Sequence, residues 1–327
     1  MNLRIFLSFF FIFATGILFG VFGALHFAPK PETGHLSSQV RQMGKYKYTN
    51  PLLECEVAKG TLDTRKENFR AELESFVENL KKSQDLTEVA VYFRDMNNGP
   101  TFGIDEEGEF FPASLLKVPV MIAYYRWSEE EPGLFRNEIV YEGPRDLGVL
   151  VTIKPREELV AGQRYTVEDL VRRMIVYSDN QSLFLLTSRL PLERLQELFK
   201  MLGVGDDVLS DSNAKLTVKE YASFFRTLFN SSYLTHENSE KALELLTQTD
   251  YNDALPAGMP TNVVVAHKFG EAGTGETERQ RHDCGIVYFP NHPYLACIMT
   301  RGSDTEKLKS SIAEISEFIY QRIDEQY

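Results

Sequence analysis

The placement of strand signals constrains this chain more than any other feature, because they stand at the two ends of one stretch with helical patterns between them. EVAVYFRDM, ending at Met96, is a strand signal, and the turn NNGP leads to a second short strand near Phe102. Far downstream come NVVVAHKF, RHDCGIVYFP and YLACIMTR, the last two separated by Asn291 to Pro293 in a hairpin. A helix over Asn68 to Lys82 precedes the first strand, with Phe69, Leu73, Phe76, Val77 and Leu80 as its apolar stripe. Between the strand groups, Ala113 to Trp127, Thr166 to Tyr177, Gln181 to Leu190, Leu192 to Leu202, Val218 to Phe229 and Glu237 to Thr249 carry apolar residues at helical spacing. Thr166 with Asp169 three residues on is a capping arrangement, and Ser303 and Asp304 open a last helix. Strands so far apart must complete one antiparallel sheet from distant segments, which makes the fold α+β.

The first residues follow different rules. Ile5 to Phe27 run without an acidic or strongly basic side chain, long enough for a helix to cross a bilayer. Phe22 before Ala24 and His26 before Ala28 are poor cleavage contexts, so residues 1–28 read as an uncleaved transmembrane signal-anchor. Arg4 lies on one side of the run and Lys30, Arg41, Lys45 and Lys47 on the other, which codes the orientation weakly and in the opposite sense to an outside domain. Residues 29–65, rich in Pro, Gly, Ser, Gln and Lys, read as a juxtamembrane linker whose end, NPLLECEV, is apolar enough to dock. The remaining 66–327 read as one compact domain, for which 43% hydrophobic residues supply a full core. A net charge of -12 offers no footprint for a phosphate backbone, so nucleic acid is excluded as a partner. Cys55, Cys284 and Cys297 fit neither a dense disulfide framework nor a metal pattern, and their redox state stays open; the six histidines lack His-Glu-x-x-His spacing, so no metal site is expected.

Chemistry enters at FPASLLKVPVMIAYY. Ser114 and Lys117 stand three apart, on one face of a helix that is apolar nearly all round. A serine hydroxyl needs a base to become a nucleophile, and a lysine amine can be that base when burial lowers its pKa. The amino end of the helix would also favour developing oxyanion charge. The bland alternative is Ser114 as an N-cap and Lys117 as a snorkelling surface residue. A second Ser-x-x-Lys, Ser212 and Lys215, lies in a polar loop and reads as turn chemistry. Ser178, Asp179 and Asn180 end the helix MIVY; a hydroxyl and an amide there can relay a proton and hold a carbonyl, or merely cap a helix connection. Lys268 and Gly270 end a strand in VAHKFG, where a cation can bind a carboxylate and glycine admits close approach, or where an edge lysine simply precedes a turn.

In the order Ser-x-x-Lys, Ser-Asp-Asn, Lys-x-Gly, the three motifs together resemble the set of class A β-lactamases and the related penicillin-binding proteins, and FPASLLKVPV, MIVYSDN, VAHKFGE and RHDCGIVYFPNHPYLACIMTRG extend the likeness from about Lys66 to Tyr327. The resemblance implies a three-layer α/β/α fold in which a sheet of about five strands is flanked by helices and a helical subdomain carries the first two motifs. It implies Ser114 as the acylated nucleophile, Lys117 as base, Ser178 as proton shuttle, Asn180 as a substrate contact and Lys268 as carboxylate anchor, with backbone N–H groups of Ser114 and Glu271 forming an oxyanion hole. It implies no cofactor, a β-lactam or peptidoglycan stem peptide as substrate, and an extracytoplasmic domain.

Two departures qualify it. The Glu-x-x-Leu-Asn motif that deacylates class A enzymes is absent, since GVGDDVLSDSNAKLT is too short for that loop and offers only Asp206, Asp207 and Asp211. Phe269 stands where the family has threonine. Three readings are open: a β-lactamase-like serine hydrolase whose acyl-enzyme turns over slowly, a D-alanyl-D-alanine carboxypeptidase, or a pseudoenzyme that binds wall peptides without turnover.

Overall fold

The computed structural model describes residues 39–41, 46–55, 64–97, 100–147, 155–205, 214–273 and 278–326. The expected membrane segment lies outside them; among the described residues no helix is long and apolar enough to cross a membrane. The chain divides into two units, residues 1–38 with 55–60 and residues 39–54 with 61–327. The second unit holds the central sheet and every helix among the described residues.

The order is β1 (Gln39–Arg41), β2 (Leu52–Cys55), α1 (Thr64–Gln84), β3 (Leu86–Asp95), β4 (Thr101–Ile104), β5 (Glu109–Phe110), a 3₁₀ turn (Ala113–Leu116), α2 (Lys117–Glu130), β6 (Glu138–Val140), β7 (Arg164–Thr166), α3 (Val167–Val176), α4 (Asn180–Thr187), α5 (Leu192–Leu202), β8 (Leu216–Thr217), α6 (Val218–Phe229), α7 (His236–Leu246), β9 (Val265–Ala272), β10 (Arg279–Val287), β11 (Tyr294–Gly302) and α8 (Thr305–Gln326). Five strands form one antiparallel sheet in the order β4-β3-β11-β10-β9. The join between the distant groups is β3 against β11, with Ala90 opposite Met299 and Val91 opposite Ile298. That register sorts side chains by face, because successive residues of a strand point to opposite sides. Val89, Val91, Phe93, Ala296 and Ile298 pack against Phe69, Leu73, Val77 and Leu80 of α1 and Leu308, Ile312, Ile315 and Ile319 of α8. Ala90, Tyr92, Cys284, Ile286, Cys297 and Met299 face the helical side, where α2 and α6 lie. Helices on one face, the sheet, and helices on the other make three layers. Each aliphatic side chain enclosed this way stabilises the fold by about 1.5–3 kcal/mol relative to exposure.

Helix α2 is central, as its unbroken apolar surface requires: Val118, Val120, Met121, Ile122, Ala123 and Tyr124 are all buried. The helix expected from Ala113 begins instead with the 3₁₀ turn, and α-helical bonding starts at Lys117. Pro119 explains part of this. It has no N–H to give the Leu115 carbonyl in an α-pattern, and the Tyr221 hydroxyl of α6 donates to that carbonyl at 3.0 Å. Thr166 caps α3 by accepting from Asp169 N at 3.1 Å, as expected.

Residues just ahead of NPLLECEV dock on the second unit's helix α7. Glu240 on α7 accepts from the backbone N–H groups of Lys47 at 2.5 Å, Tyr48 at 2.8 Å and Thr49 at 2.8 Å, and Tyr288 O–H donates to the Tyr48 carbonyl at 3.0 Å. Cys284 and Cys297, directly opposed on β10 and β11, form a disulfide.

Candidate active site

The 3₁₀ turn does what an α-turn would do less closely: residues three apart eclipse, and Lys117 Nζ lies 2.8 Å from Ser114 Oγ. The turn enters through Ala113 at φ 47°, a left-handed conformation that costs a non-glycine residue on the order of 1 kcal/mol. It is held from three sides. Tyr221 fixes the Leu115 carbonyl, Gln280 Oε1 accepts from Phe111 N at 3.0 Å, and His282 Nε2 lies 3.0 Å from the Phe111 carbonyl. Burial lowers His282 to about 3, so the ring is neutral, and Nε2 must carry the proton it gives to that carbonyl.

The second motif reaches the same place from α3 and α4. Ser178 turns the chain at φ 55°, and Asp179 braces the turn by accepting from Gln181 N at 3.0 Å, Ser182 N at 3.0 Å and Ser182 Oγ at 2.5 Å. This brings the Ser178 carbonyl to 2.8 Å, Ser178 Oγ to 3.0 Å and Asn180 Oδ1 to 2.6 Å from Lys117 Nζ. The four neighbours define how the amine is used. A neutral amine has two N–H donors and one lone pair, while the Ser178 carbonyl and Asn180 Oδ1 can only accept. Giving both hydrogens to them leaves the lone pair for a hydroxyl proton. Lys117 is only 1% exposed, and burial lowers it from 10.5 to about 7, against the opposing pull of the Asp179 carboxylate. A lysine there can be neutral near pH 7.

Lys268 arrives from β9, the edge strand. Its Nζ lies 3.0 Å from Ser178 Oγ and 3.0 Å from the Phe269 carbonyl. Burial, and then repulsion from Lys117, push it well below its ordinary value. Ser178 Oγ thus bridges two amines, neither of which forms an ion pair among the described residues. Phe269 places its ring 3.8 Å from Lys268 Nζ, a cation–π contact where the family resemblance implies a hydroxyl. Gly270 earns its place by packing: a Cβ there would lie 2.9 Å from Leu115 Cγ and 3.1 Å from the Pro112 carbonyl, so only glycine lets β9 lie against the Ser114 turn. Glu271 is next on the strand, its carboxylate paired with Arg281.

The structure therefore gathers Ser114, Lys117, Ser178, Asn180 and Lys268 around shared hydrogen bonds, with Gly270 and Glu271 on the adjoining edge. Of the other Ser-x-x-Lys, Ser212 lies outside the described residues, as do the three acids Asp206, Asp207 and Asp211. Sequence reasoning missed Tyr221, Gln280 and His282, which act on the backbone of the nucleophile turn. Gln280 and His282 stand in the polar run ETERQRHD and Tyr221 in an amphipathic helix, so nothing local in the sequence marks them.

A five-stranded antiparallel sheet with a helical layer presenting a Ser/Lys pair defines a class A β-lactamase-like fold. The description "Beta-lactamase enzyme family" matches residues 70–323, and the chain belongs to that family. Among solved structures it is similar to PBP-A, a point variant of which is an acyl-enzyme complex with penicillin G, at 19% identity and a TM-score of 0.65, covering 78% of this chain and 97% of that one. It is also similar to a variant of the last common ancestor of Gram-negative bacteria class A β-lactamase, at 22% identity and a TM-score of 0.66, covering 78% and 100%. A class A β-lactamase from Mycobacterium abscessus aligns at 20% identity and a TM-score of 0.65, covering 77% and 99%. No curated protein sequence matches.

Proposed function

We propose that this protein is a serine hydrolase that opens β-lactam or related amide bonds through an acyl-enzyme on Ser114. One observation carries the reading: a buried amine, lowered to about 7, stands 2.8 Å from the Ser114 hydroxyl with two pure acceptors, the Ser178 carbonyl and Asn180 Oδ1, in reach of its hydrogens. The hydroxyl oxygen attacks the carbonyl carbon as its proton passes to Lys117 Nζ. When the C–N bond breaks, the leaving nitrogen takes a proton from Ser178 Oγ, and Lys117 returns its own to Ser178 across 3.0 Å. Asn180 and Lys268 hold the substrate, and the backbone N–H groups of Ser114 and Glu271 face the oxyanion.

Turnover is limited by the second half of the reaction. No Glu-x-x-Leu-Asn stands in the sequence to activate water, so the acyl-enzyme outlives its formation. The similarity to PBP-A, known as a penicillin G acyl-enzyme, supports a second reading as a penicillin-binding D-alanyl-D-alanine carboxypeptidase. The apolar run Ile5 to Phe27 supports a membrane anchor with the domain outside the cytoplasm, where wall peptides are. Labelling wild type and Ser114→Ala with a fluorescent penicillin separates the readings. Serine-dependent label that fades within minutes is the expected result, and stable label moves the assignment to the peptidase. Absence of label from wild type refutes both.

A further inference from the structure

A cavity of about 650 Å³ opens between α2, α3 and α7, apart from the Ser114 site. Tyr125 on α2 lies about 12 Å along the helix axis from Lys117, and Glu168 on α3 lies about 12 Å along its axis from Val176, where the chain turns toward Ser178. The cavity therefore sits at the ends of these helices that point away from the catalytic residues.

Its floor and rim carry groups with nothing to bind. Tyr125 is 9% exposed, and its hydroxyl opens into the cavity without a hydrogen-bond partner among the described residues. A phenol so enclosed ordinarily finds one. Its ring lies 5.0 Å from that of Phe135, which also lines the cavity. Burial, and then the Glu168 and Glu244 carboxylates, push the Tyr125 hydroxyl up from its ordinary value, so two acids from different helices act on the same spot. Among the described residues neither carboxylate forms an ion pair or a hydrogen bond. Two cations of the lining are engaged with other acids: Arg172 with Asp169 at 3.4 Å and Lys241 with Glu237 at 2.7 Å. Lys47 acts on Glu244 from the docked residues but makes no ion pair with it. Arg136, also on the lining, has no ion pair among the described residues.

The set selects a ligand by its chemistry. Two carboxylates and the phenol oxygen offer three acceptors around one point, and a primary ammonium brings three N–H donors and a positive charge. The two aromatic faces favour a cation further, while a bare anion meets the two acids. The free guanidinium of Arg136 can take a carboxylate carried by the same ligand. We propose that this cavity is a binding site for amino acids or short peptides, whose ammonium group is held by Tyr125, Glu168 and Glu244. The site goes beyond the proposed function and does not rest on it.

Saturation-transfer NMR of L-lysine with the full-length protein tests this. Lysine should bind wild type with a Kd of about 1–10 mM, and diacetyl-lysine, which lacks both ammonium groups, should give no signal. Glu168→Gln and Glu244→Gln, both at exposed positions that the fold tolerates, should each weaken lysine about fivefold. Tyr125→Phe, which removes a hydroxyl with no internal partner, should weaken it about twofold. No lysine binding to wild type at about 50 mM, diacetyl-lysine binding as tightly as lysine, or a Kd unchanged in both glutamine variants overturns the proposal. Acylation by penicillin should proceed at the wild-type rate in both glutamine variants. Absence of acylation in wild type refutes the proposed function and leaves this site standing, provided that lysine binds and the glutamine variants weaken it.

Discussion

Replacing Lys117 with Met removes one buried amine while keeping a side chain of similar length and an apolar stem. The wild-type amine moves from 10.5 in the unfolded chain to about 7 in the folded one, because burial disfavours its charged form. A displacement of 3.5 pH units corresponds to about 5 kcal/mol. The sign follows from proton counts. Between pH 7 and 10.5 the unfolded chain holds a proton that the folded chain has released, so wild-type stability rises with pH. Methionine has no proton to bind. The variant is therefore favoured most below pH 7, and its advantage shrinks by about 1.4 kcal/mol for each pH unit above that. Lost hydrogen bonds to the Ser178 carbonyl and Asn180 Oδ1, worth about 1 kcal/mol each, lower the whole difference without changing its slope. Denaturant unfolding of both proteins at pH 7, 8 and 9 should show the gap closing by about 3 kcal/mol. Parallel stability curves across that range would refute the lowered amine.

Three further outcomes rest on particular contacts. Gly270→Ala drives a Cβ to 2.9 Å from Leu115 Cγ and 3.1 Å from the Pro112 carbonyl; it should cost about 1–3 kcal/mol by thermal unfolding and slow acylation about tenfold or more. Asp179→Asn retains an N-cap side chain but deletes the carboxylate that raises Lys117, so the acylation rate should climb at lower pH than in wild type. Glu240→Ala removes the acceptor shared by the N–H groups of Lys47, Tyr48 and Thr49, and protease cleavage near these residues should accelerate while acylation is retained.

The sheet was legible because its strands are short apolar, β-branched and aromatic runs that end in turn residues, and because the two groups stand too far apart to pair locally. Helix α2 was legible because a helix apolar on every side has only one place to go. The 3₁₀ turn under Ser114 was not. The missing N–H of Pro119 matters through the Tyr221 hydroxyl, 106 residues away from Leu115, and no local pattern carries that link. Strands β5, β6, β7 and β8 span two or three residues each, too short for alternation to register. Residues 47–49 dock on α7 through backbone N–H groups, which leave no trace in side-chain identity. Cys284 and Cys297 meet because of the β10–β11 register, something spacing alone does not reveal. Within the site, the residue types and their order were readable. The use of the Lys117 amine, with two pure acceptors fixing its hydrogens, required coordinates.

Acylation of Ser114 measured against pH tests the central claim most directly, because the base must lose its own proton before it can take one from the hydroxyl. The rate constant, followed by intact mass with penicillin between pH 5.5 and 9, should rise about tenfold per unit on the acid side and level off above about 7. A rate flat across this range, or still rising at pH 9 as an exposed lysine would demand, contradicts it.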